Sequence, residues 1–141
     1  MVPELRMRAL SMEVTCLDVV WRDLRETVSV RFSAQEDAFV VITLNGGVDV
    51  RGAGSDLFEA LKEVCLRLEE MGALLLCNGA RIDVYPSQMQ RQATRGRRAY
   101  VMTLPRGPAR PESVDIFAPA RLDLVGSVAE QREFFERWLL S

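Results

Sequence analysis

The chain has 141 residues, of which 48% are hydrophobic and 27% charged, and its formal net charge at pH 7 is −2. These values are typical of one globular domain; they exclude a disordered chain and argue against nucleic acid as a general partner. There is no histidine, and the three cysteines, Cys16, Cys65 and Cys77, are dispersed without a CxxC pair. The common zinc sites and the nucleophilic systems that depend on histidine are therefore excluded, and we expect no metal and no cofactor.

The longest apolar runs are short. Residues 38–44 and 73–77 fall far below the roughly 20 residues that a membrane-spanning helix needs. The first eleven residues lack the apolar region of a secretory signal, and three unpaired cysteines suit buried thiols in a reducing compartment. We therefore predict a cytoplasmic protein without a membrane partner. Residues 1–11 are interpreted as a ragged N-terminal segment and residues 12–141 as a single α+β domain.

Alternation of apolar and polar residues at period two predicts most of the strands. We expect strands at 12–20, 27–33, 38–44, 48–51, 73–77, 82–85 and 99–104. The first of these also fits a helical face through Val14, Leu17 and Trp21, and this alternative stays open. Asn45-Gly46-Gly47 tolerates the positive φ of a tight hairpin. The continuous apolar run at 73–77 is typical of a strand buried on both faces in the middle of a sheet.

Two segments carry the signals of helices. Residues 56–71 place seven apolar side chains along one stripe, with Asp56 in position to cap the helix and Gly72 to end it. Residues 127–130, Ser-Val-Ala-Glu, form a capping box, and the helix that follows is predicted to present an inner stripe to the core: Val128, Gln131, Phe135 and Trp138 with Leu139. The predicted fold is α+β: a mostly antiparallel sheet of six to seven strands, with one amphipathic helix on a face and a docked C-terminal helix.

Basic residues are concentrated in one part of the chain. Seven arginines and a single acid, Asp83, lie between Arg81 and Arg110. On a short strand, Arg81, Asp83 and Tyr85 would share one face. Four arginines follow within the eight residues 91–98, which we interpret as a loop. Guanidinium groups at this density suit phosphate or an acidic protein surface. We predict that a partner is bound by Arg81, Asp83, Tyr85, Arg91, Arg95, Arg97 and Arg98. The alternatives are a solvated strand face and a solvated loop.

Two further patterns have a plainer interpretation. The segment 52–56, Gly-Ala-Gly-Ser-Asp, lies between a strand and a helix, where backbone amides can hold an anion, but it matches neither a dinucleotide fingerprint nor a P-loop. Cys77 could be an activated thiolate beside Arg81, but no general base accompanies it. We interpret the first as a strand-to-helix turn and the second as a buried thiol.

Several stretches resemble a group of small bacterial proteins, some of them similar to immunity proteins of polymorphic toxin systems. The stretches are LLLCNGARIDVYPSQM, RRAYVMTL, VDIF and DLVGSVAEQREFFERWL, and the resemblance covers about Leu57 to Leu139. It implies a non-catalytic binding protein, an inhibitor that covers the active site of a partner protein. Two other interpretations stay open: an enzyme that acts on a phosphorylated or acidic substrate through Arg81, Asp83 and Tyr85, and a small acidic secretion chaperone that forms a homodimer.

Overall fold

A computed structural model of the protein describes residues 12–107 and 111–141. The predicted N-terminal segment, residues 1–11, lies outside this range. Eight strands and three helices follow in the described part of the chain. They are β1 (Glu13–Trp21), β2 (Leu24–Ser33), β3 (Ala38–Thr43), β4 (Asp49–Gly54), α1 (Leu57–Glu70), β5 (Ala73–Leu75), β6 (Val84–Tyr85), α2 (Gln88–Thr94), β7 (Arg98–Val101), β8 (Ser113–Asp115) and α3 (Val128–Leu140).

The strands form two antiparallel sheets. The larger has the order β4-β3-β2-β1-β5, and the smaller has the order β6-β7-β8. The α+β class is therefore confirmed, whereas the expectation of one sheet of six to seven strands is wrong. The division falls after β5, where the chain turns through a short 3-10 segment, Asn78–Ala80, before β6 begins. Isolated bridges flank this turn in the described residues: Cys77 pairs with Pro119 before it, and Arg81 pairs with Val125 after it.

The first strand settles the choice between strand and helix at the start of the domain. β1 pairs along its whole length with β2, and its inward residues Leu17 and Val19 are almost fully buried. Val14 and Cys16 lie on the opposite face of the sheet and are exposed. The strand predicted from the alternation at period two is therefore confirmed, and the helical alternative is wrong. The expectation that all three cysteines are buried is also wrong for Cys16, because it falls on the outward register of an open sheet.

Two strands differ from their predicted place or length. β4 continues through two glycines to Gly54. Glycine is needed at Gly52 because α1 crosses the strand closely, and a Cβ there would collide with the carbonyl oxygen of Ala60. β5 is an edge strand beside β1 and not a central one. Its apolar run is buried all the same, because residues 116–120 cover its end: the amide of Ala120 donates to the Leu76 carbonyl at 3.2 Å.

Both predicted helices are present with their predicted caps. The side chain of Asp56 accepts a hydrogen bond from the Glu59 amide at the start of α1, and Gly72 follows the helix at φ +77°. Ser127 and Glu130 form the capping box of α3. A third helix, α2, was not predicted; it too begins with a capping box, formed by Ser87 and Gln90.

The core lies between α1 and the inner face of the large sheet and extends to the small sheet. Phe32 of β2 stacks on Phe117, which follows β8, with ring centroids 3.9 Å apart. The amide of Gly79 donates to the Ile116 carbonyl at 2.9 Å, next to α1. These contacts join the two sheets into one packed body. In the described segments, no helix has the length and apolar character to cross a membrane.

Candidate functional site

The arginine-rich segment is a helix, a turn and a strand, so its prediction as a loop is wrong. α2 ends at Thr94, Arg95 and Gly96 adopt left-handed conformations with φ +57° and +79°, and β7 starts at Arg98. The carbonyl of Arg95 accepts the first amide of α1, from Leu57, at 2.9 Å. This contact and the Asp56 cap satisfy two amides at the helix N-terminus, so the segment is a structural strand-to-helix connection; residues 52–54 still belong to β4, and the turn itself is residues 55–56.

Arg91 ties α2 to the start of α1. Its Nη1 donates to Asp56 Oδ2 at 3.0 Å and to Glu59 Oε2 at 3.2 Å. Partial burial lowers the pKa of Arg91, but the hydrogen bonds and charges of Asp56 and Glu59 outweigh it and raise the pKa overall. The guanidinium also lies over Phe58, 5.3 Å from the ring centroid. The charge of this side chain is therefore neutralised within the fold, and one of its nitrogens is fully used there.

Arg97 joins the two sheets. It donates to Glu13 on β1 at 2.6 Å and, through two nitrogens, to Asp115 on β8 at 3.3 and 3.2 Å. Its guanidinium lies 4.8 Å from the ring centroid of Phe32. Burial lowers the pKa of Arg97, and the two carboxylates raise it by more. This geometry is that of a structural ion pair.

Arg95 and Arg98 have more open surroundings. Arg95 is exposed and donates to the backbone carbonyl of Glu36 at 3.0 Å, whereas Arg98 donates to the side chain and carbonyl of Ser113. Both side chains stay at the surface, where a partner can reach them. Their role in partner binding stays a prediction.

The expected polar row on β6 is not formed. Arg81 and Asp83 make a bidentate ion pair with both N–O distances at 2.9 Å, and this hydrogen bonding raises the pKa of Arg81. Tyr85 is instead buried, with 8% of its surface exposed, and its ring packs between Phe58 and Phe135. The expectation of one shared exposed face is wrong, because the strand covers only Val84–Tyr85 and the chain turns before it.

Two adjoining cavities lie between the small sheet and α3, with volumes of about 500 Å³ and about 430 Å³. The described residues that line both are Ser87, Tyr100, Met102, Pro111 and Trp138. The smaller cavity is also lined by residues that include Tyr85, Arg91, Phe135 and Leu139, and the larger one by residues that include Thr103, Arg106 and Glu112. We call the two cavities together the aromatic groove.

Stacked rings form one wall of the aromatic groove. Tyr85 lies face to face on Phe135, with centroids 3.9 Å apart and an interplanar angle of 8°. Phe135 is followed one helical turn later by Trp138, 6.2 Å away and inclined by 20°. The Arg106 guanidinium covers Trp138 at 4.2 Å from its ring centroid. The wall therefore ends in a cation held against an aromatic face.

Of the seven predicted partner-binding residues, only Tyr85 and Arg91 line the aromatic groove. Sequence reasoning missed Tyr100, Met102, Arg106 and Pro111. It assigned Trp138 to the core, whereas this residue is only half-buried and lines the groove. One signal was present in the sequence: aromatic residues and prolines occur together in 85–86 and 100–111, and two further aromatic residues lie within 135–138.

Other reactive groups lie outside the groove. Cys77 is fully buried, and burial raises the pKa of its thiol to about 12, which confirms the interpretation as a buried thiol. Within residues 12–107 and 111–141, no cluster of three or more cysteine, aspartate or glutamate side chains could hold a metal ion. The aromatic groove is thus the concave site that the described residues present most clearly.

No family model matches the sequence. No curated protein matches it at a significant level.

Proposed function

We propose that the protein is a non-catalytic binding protein that holds a segment of a partner protein in the aromatic groove. In its most specific form, it is an immunity-like inhibitor that neutralises a toxin-like enzyme by covering its active site. The observation that carries the proposal is the open wall of stacked rings ending in Arg106. The immunity form rests on the sequence resemblance.

The composition of the groove supports a protein partner. Tyrosine, tryptophan, methionine and arginine are enriched in protein interfaces, where rigid aromatic side chains provide contact area at a low cost in conformational entropy. The groove contains all four of these residue types, as Tyr100, Trp138, Met102 and Arg106. Extended, proline-containing segments dock in aromatic-lined grooves of this kind.

The polar side chains of the groove favour binding over reaction. The hydroxyl of Ser87 accepts the Gln90 amide at 3.1 Å in the capping box of α2. Arg91 is held by Asp56 and Glu59. Both residues support the walls of the groove, so they hold its shape and leave the ring faces to make the contact.

The volume of the groove favours a second candidate function. Cavities of about 430 to 500 Å³ fall within the range of small-molecule sites, so an enzyme or carrier for a small acidic ligand would also fit. Thermal-shift measurements with small phosphates and carboxylates test this candidate. Stabilisation that Leu139→Glu abolishes would favour it over a protein partner.

The experiment that tests the leading proposal uses two neighbouring leucines of α3. Leu139 lines the groove and is 49% exposed, whereas Leu140 is 89% exposed and does not line it. Leu139→Glu places a charge in the groove at little cost to folding, and Leu140→Glu is the matched control. Where the neighbouring gene encodes a toxin-like protein, cells would co-express that protein with each variant, and growth and complex formation would be measured.

We expect the wild type and Leu140→Glu to bind the toxin-like protein and protect the cells, and Leu139→Glu to do neither. Protection by Leu139→Glu equal to that of the wild type would show that the groove is not the binding site. A neighbouring gene that encodes no toxin-like protein would overturn the immunity form.

A further inference from the structure

We infer that the segment held by the aromatic groove is acidic: an extended stretch that places an apolar side chain against Trp138 and Tyr100 and a carboxylate against Arg106. The inference rests on the proposed function and names the chemistry of its partner. Its basis is the difference between the two arginines that line the groove.

Arg106 has spare hydrogen-bonding capacity. Its backbone amide donates to Ser141 Oγ at 3.0 Å, and its guanidinium lies over Trp138. Among the residues that the structure describes, no carboxylate pairs with this guanidinium. Stacking on the ring restricts the side chain, and Arg106 is exposed, so a carboxylate can reach its guanidinium and bind it in bidentate fashion at a lower cost in conformational entropy.

Arg91, at the other end of the groove, is different because Asp56 and Glu59 already neutralise it. Glu112 also lines the larger cavity, so the groove is not uniformly basic. The positive end is therefore local, at Arg106 beside Trp138. A partner would be recognised by the spacing between one apolar residue and one acidic residue, and not by net charge.

A random dodecapeptide library displayed on phage tests this chemistry without knowledge of the natural partner. It would be selected separately on the wild type, on Arg106→Glu and on Arg51→Glu. Arg51 lies on β4, at the far edge of the large sheet, and is exposed, so its substitution makes the same change in charge away from the groove. Circular dichroism and melting curves of the three proteins should agree, because surface substitutions have little effect on stability.

We expect the wild type and Arg51→Glu to enrich peptides in which Asp or Glu stands near an aromatic residue or proline. On Arg106→Glu the acidic position should change to Lys or Arg, since reversing the charge reverses the preference. The same acidic consensus on Arg106→Glu would overturn the inference but leave groove binding intact. If the enriched peptides bind Leu139→Glu as well as the wild type, the groove is not the site and the proposed function fails too.

Fluorescence then measures the contribution of Arg106. The chain has two tryptophans, and Trp21→Phe leaves Trp138 in the groove as the reporter. In this background, Arg106→Gln should weaken the best enriched peptide by about 10-fold to 100-fold, the range of one charge-assisted contact. Affinity of the wild type should also fall with added salt, and that of Arg106→Gln should fall less. Equal affinities and equal salt dependence would contradict the role of Arg106.

Discussion

Four arginines within eight residues, Arg91 to Arg98, have different surroundings in the folded chain. Arg91 and Arg97 are partly buried and bound by carboxylates, whereas Arg95 and Arg98 lie at the surface on backbone and hydroxyl oxygens. The sequence shows four equivalent guanidinium groups. The difference arises from Asp56, Glu13 and Asp115, which are distant in sequence and reach the segment only in the folded chain.

Arg97→Gln should lower the free energy of unfolding by about 1 to 3 kcal/mol, because Asp115 loses a partner in a partly buried site. Arg95→Gln should change it by no more than about 0.5 kcal/mol and serves as the control, since its partner is one surface carbonyl. Urea denaturation of the three proteins measures both effects. Equal stabilities would mean that the Arg97 ion pairs do not hold the sheets together.

The exposed Cys16 should be the one thiol that reacts readily in the native protein. Cys77 and Cys65 are shielded, and burial raises the pKa of both thiols. With Ellman's reagent at pH 8, we expect one thiol per native molecule to react fast and all three to react after denaturation. In Cys16→Ser the fast phase should disappear; a fast phase that persists would place one of the other cysteines at the surface.

The last helix is fixed to the domain by an amide as well as by rings. Gln131 of α3 is 4% exposed, and its Nε2 donates to the carbonyls of Gly79 and Arg81 at 2.9 and 2.8 Å. The turn after β5 thereby gains two hydrogen bonds. At the start of the same helix, the Val128 amide donates to Glu69 of α1 at 2.9 Å.

Gln131→Leu should therefore destabilise the protein although leucine is more hydrophobic. The loss should be about 1 to 3 kcal/mol, because two carbonyls lose their partner in the interior. Glu133→Leu, at an exposed position of the same helix, is the matched control and should be nearly neutral. Thermal or urea unfolding measures the stability of each variant. A Gln131→Leu protein as stable as the wild type would show that the amide is not needed to hold α3 on the domain.

At the level of elements, local patterns predicted what depends on local contacts. The hairpins of β1 to β4 and the caps of α1 and α3 follow from period two, Asn45-Gly46-Gly47, Asp56 and Ser127. α2 was missed although Ser87-Gln88-Met89-Gln90 has the spacing of a capping box, because Pro86 and the density of arginines suggested a loop. β8 was missed because three residues between prolines carry too little periodicity.

Pairings between distant segments could not be predicted in this way. The division into two sheets depends on contacts such as Asn78 with Ala118 and Ile82 with Leu124, which no periodic pattern encodes. The groove depends on them too: Arg106 meets Trp138 only after α3 has docked. The sequence therefore predicted a role for arginine in this region but could not indicate which arginines would form ion pairs and which would stay at the surface.

The molecule as a whole should lose stability in alkaline solution. Burial raises the pKa of Cys77 to about 12 and that of Cys65 well above its ordinary value, so both thiols stay protonated in the folded state. Above about pH 8.5 to 9 the unfolded chain releases these protons and the folded one does not. The contribution of the two thiols to the free energy of unfolding is complete below this pH, and it is lost as the pH rises toward the pKa values of the folded state.

We therefore expect the free energy of unfolding to fall above pH 9, by about 1.4 kcal/mol per pH unit for the fully buried Cys77 thiol, with a further decline from the partly buried Cys65 thiol. Urea denaturation between pH 8 and pH 10.5 measures the slope. The variant with Cys65→Ala and Cys77→Ala separates the contribution of the thiols from that of other titrating groups. Its free energy of unfolding should decline less steeply with pH. Identical slopes would mean that the two thiols are already ionised or exposed in the folded protein.

The residues that line the groove lie between positions 85 and 139, whereas the large sheet and α1 end by residue 75. Arg106 and Leu139 are exposed and contribute little to the core beneath the large sheet and α1. Selection can therefore change them with little loss of stability, since destabilising substitutions concentrate in the interior. Chains that share this architecture can diverge in specificity through a few exposed groove residues while their packed interiors stay alike. If the groove binds a partner as we propose, two such relatives would share the fold yet reject each other's partners.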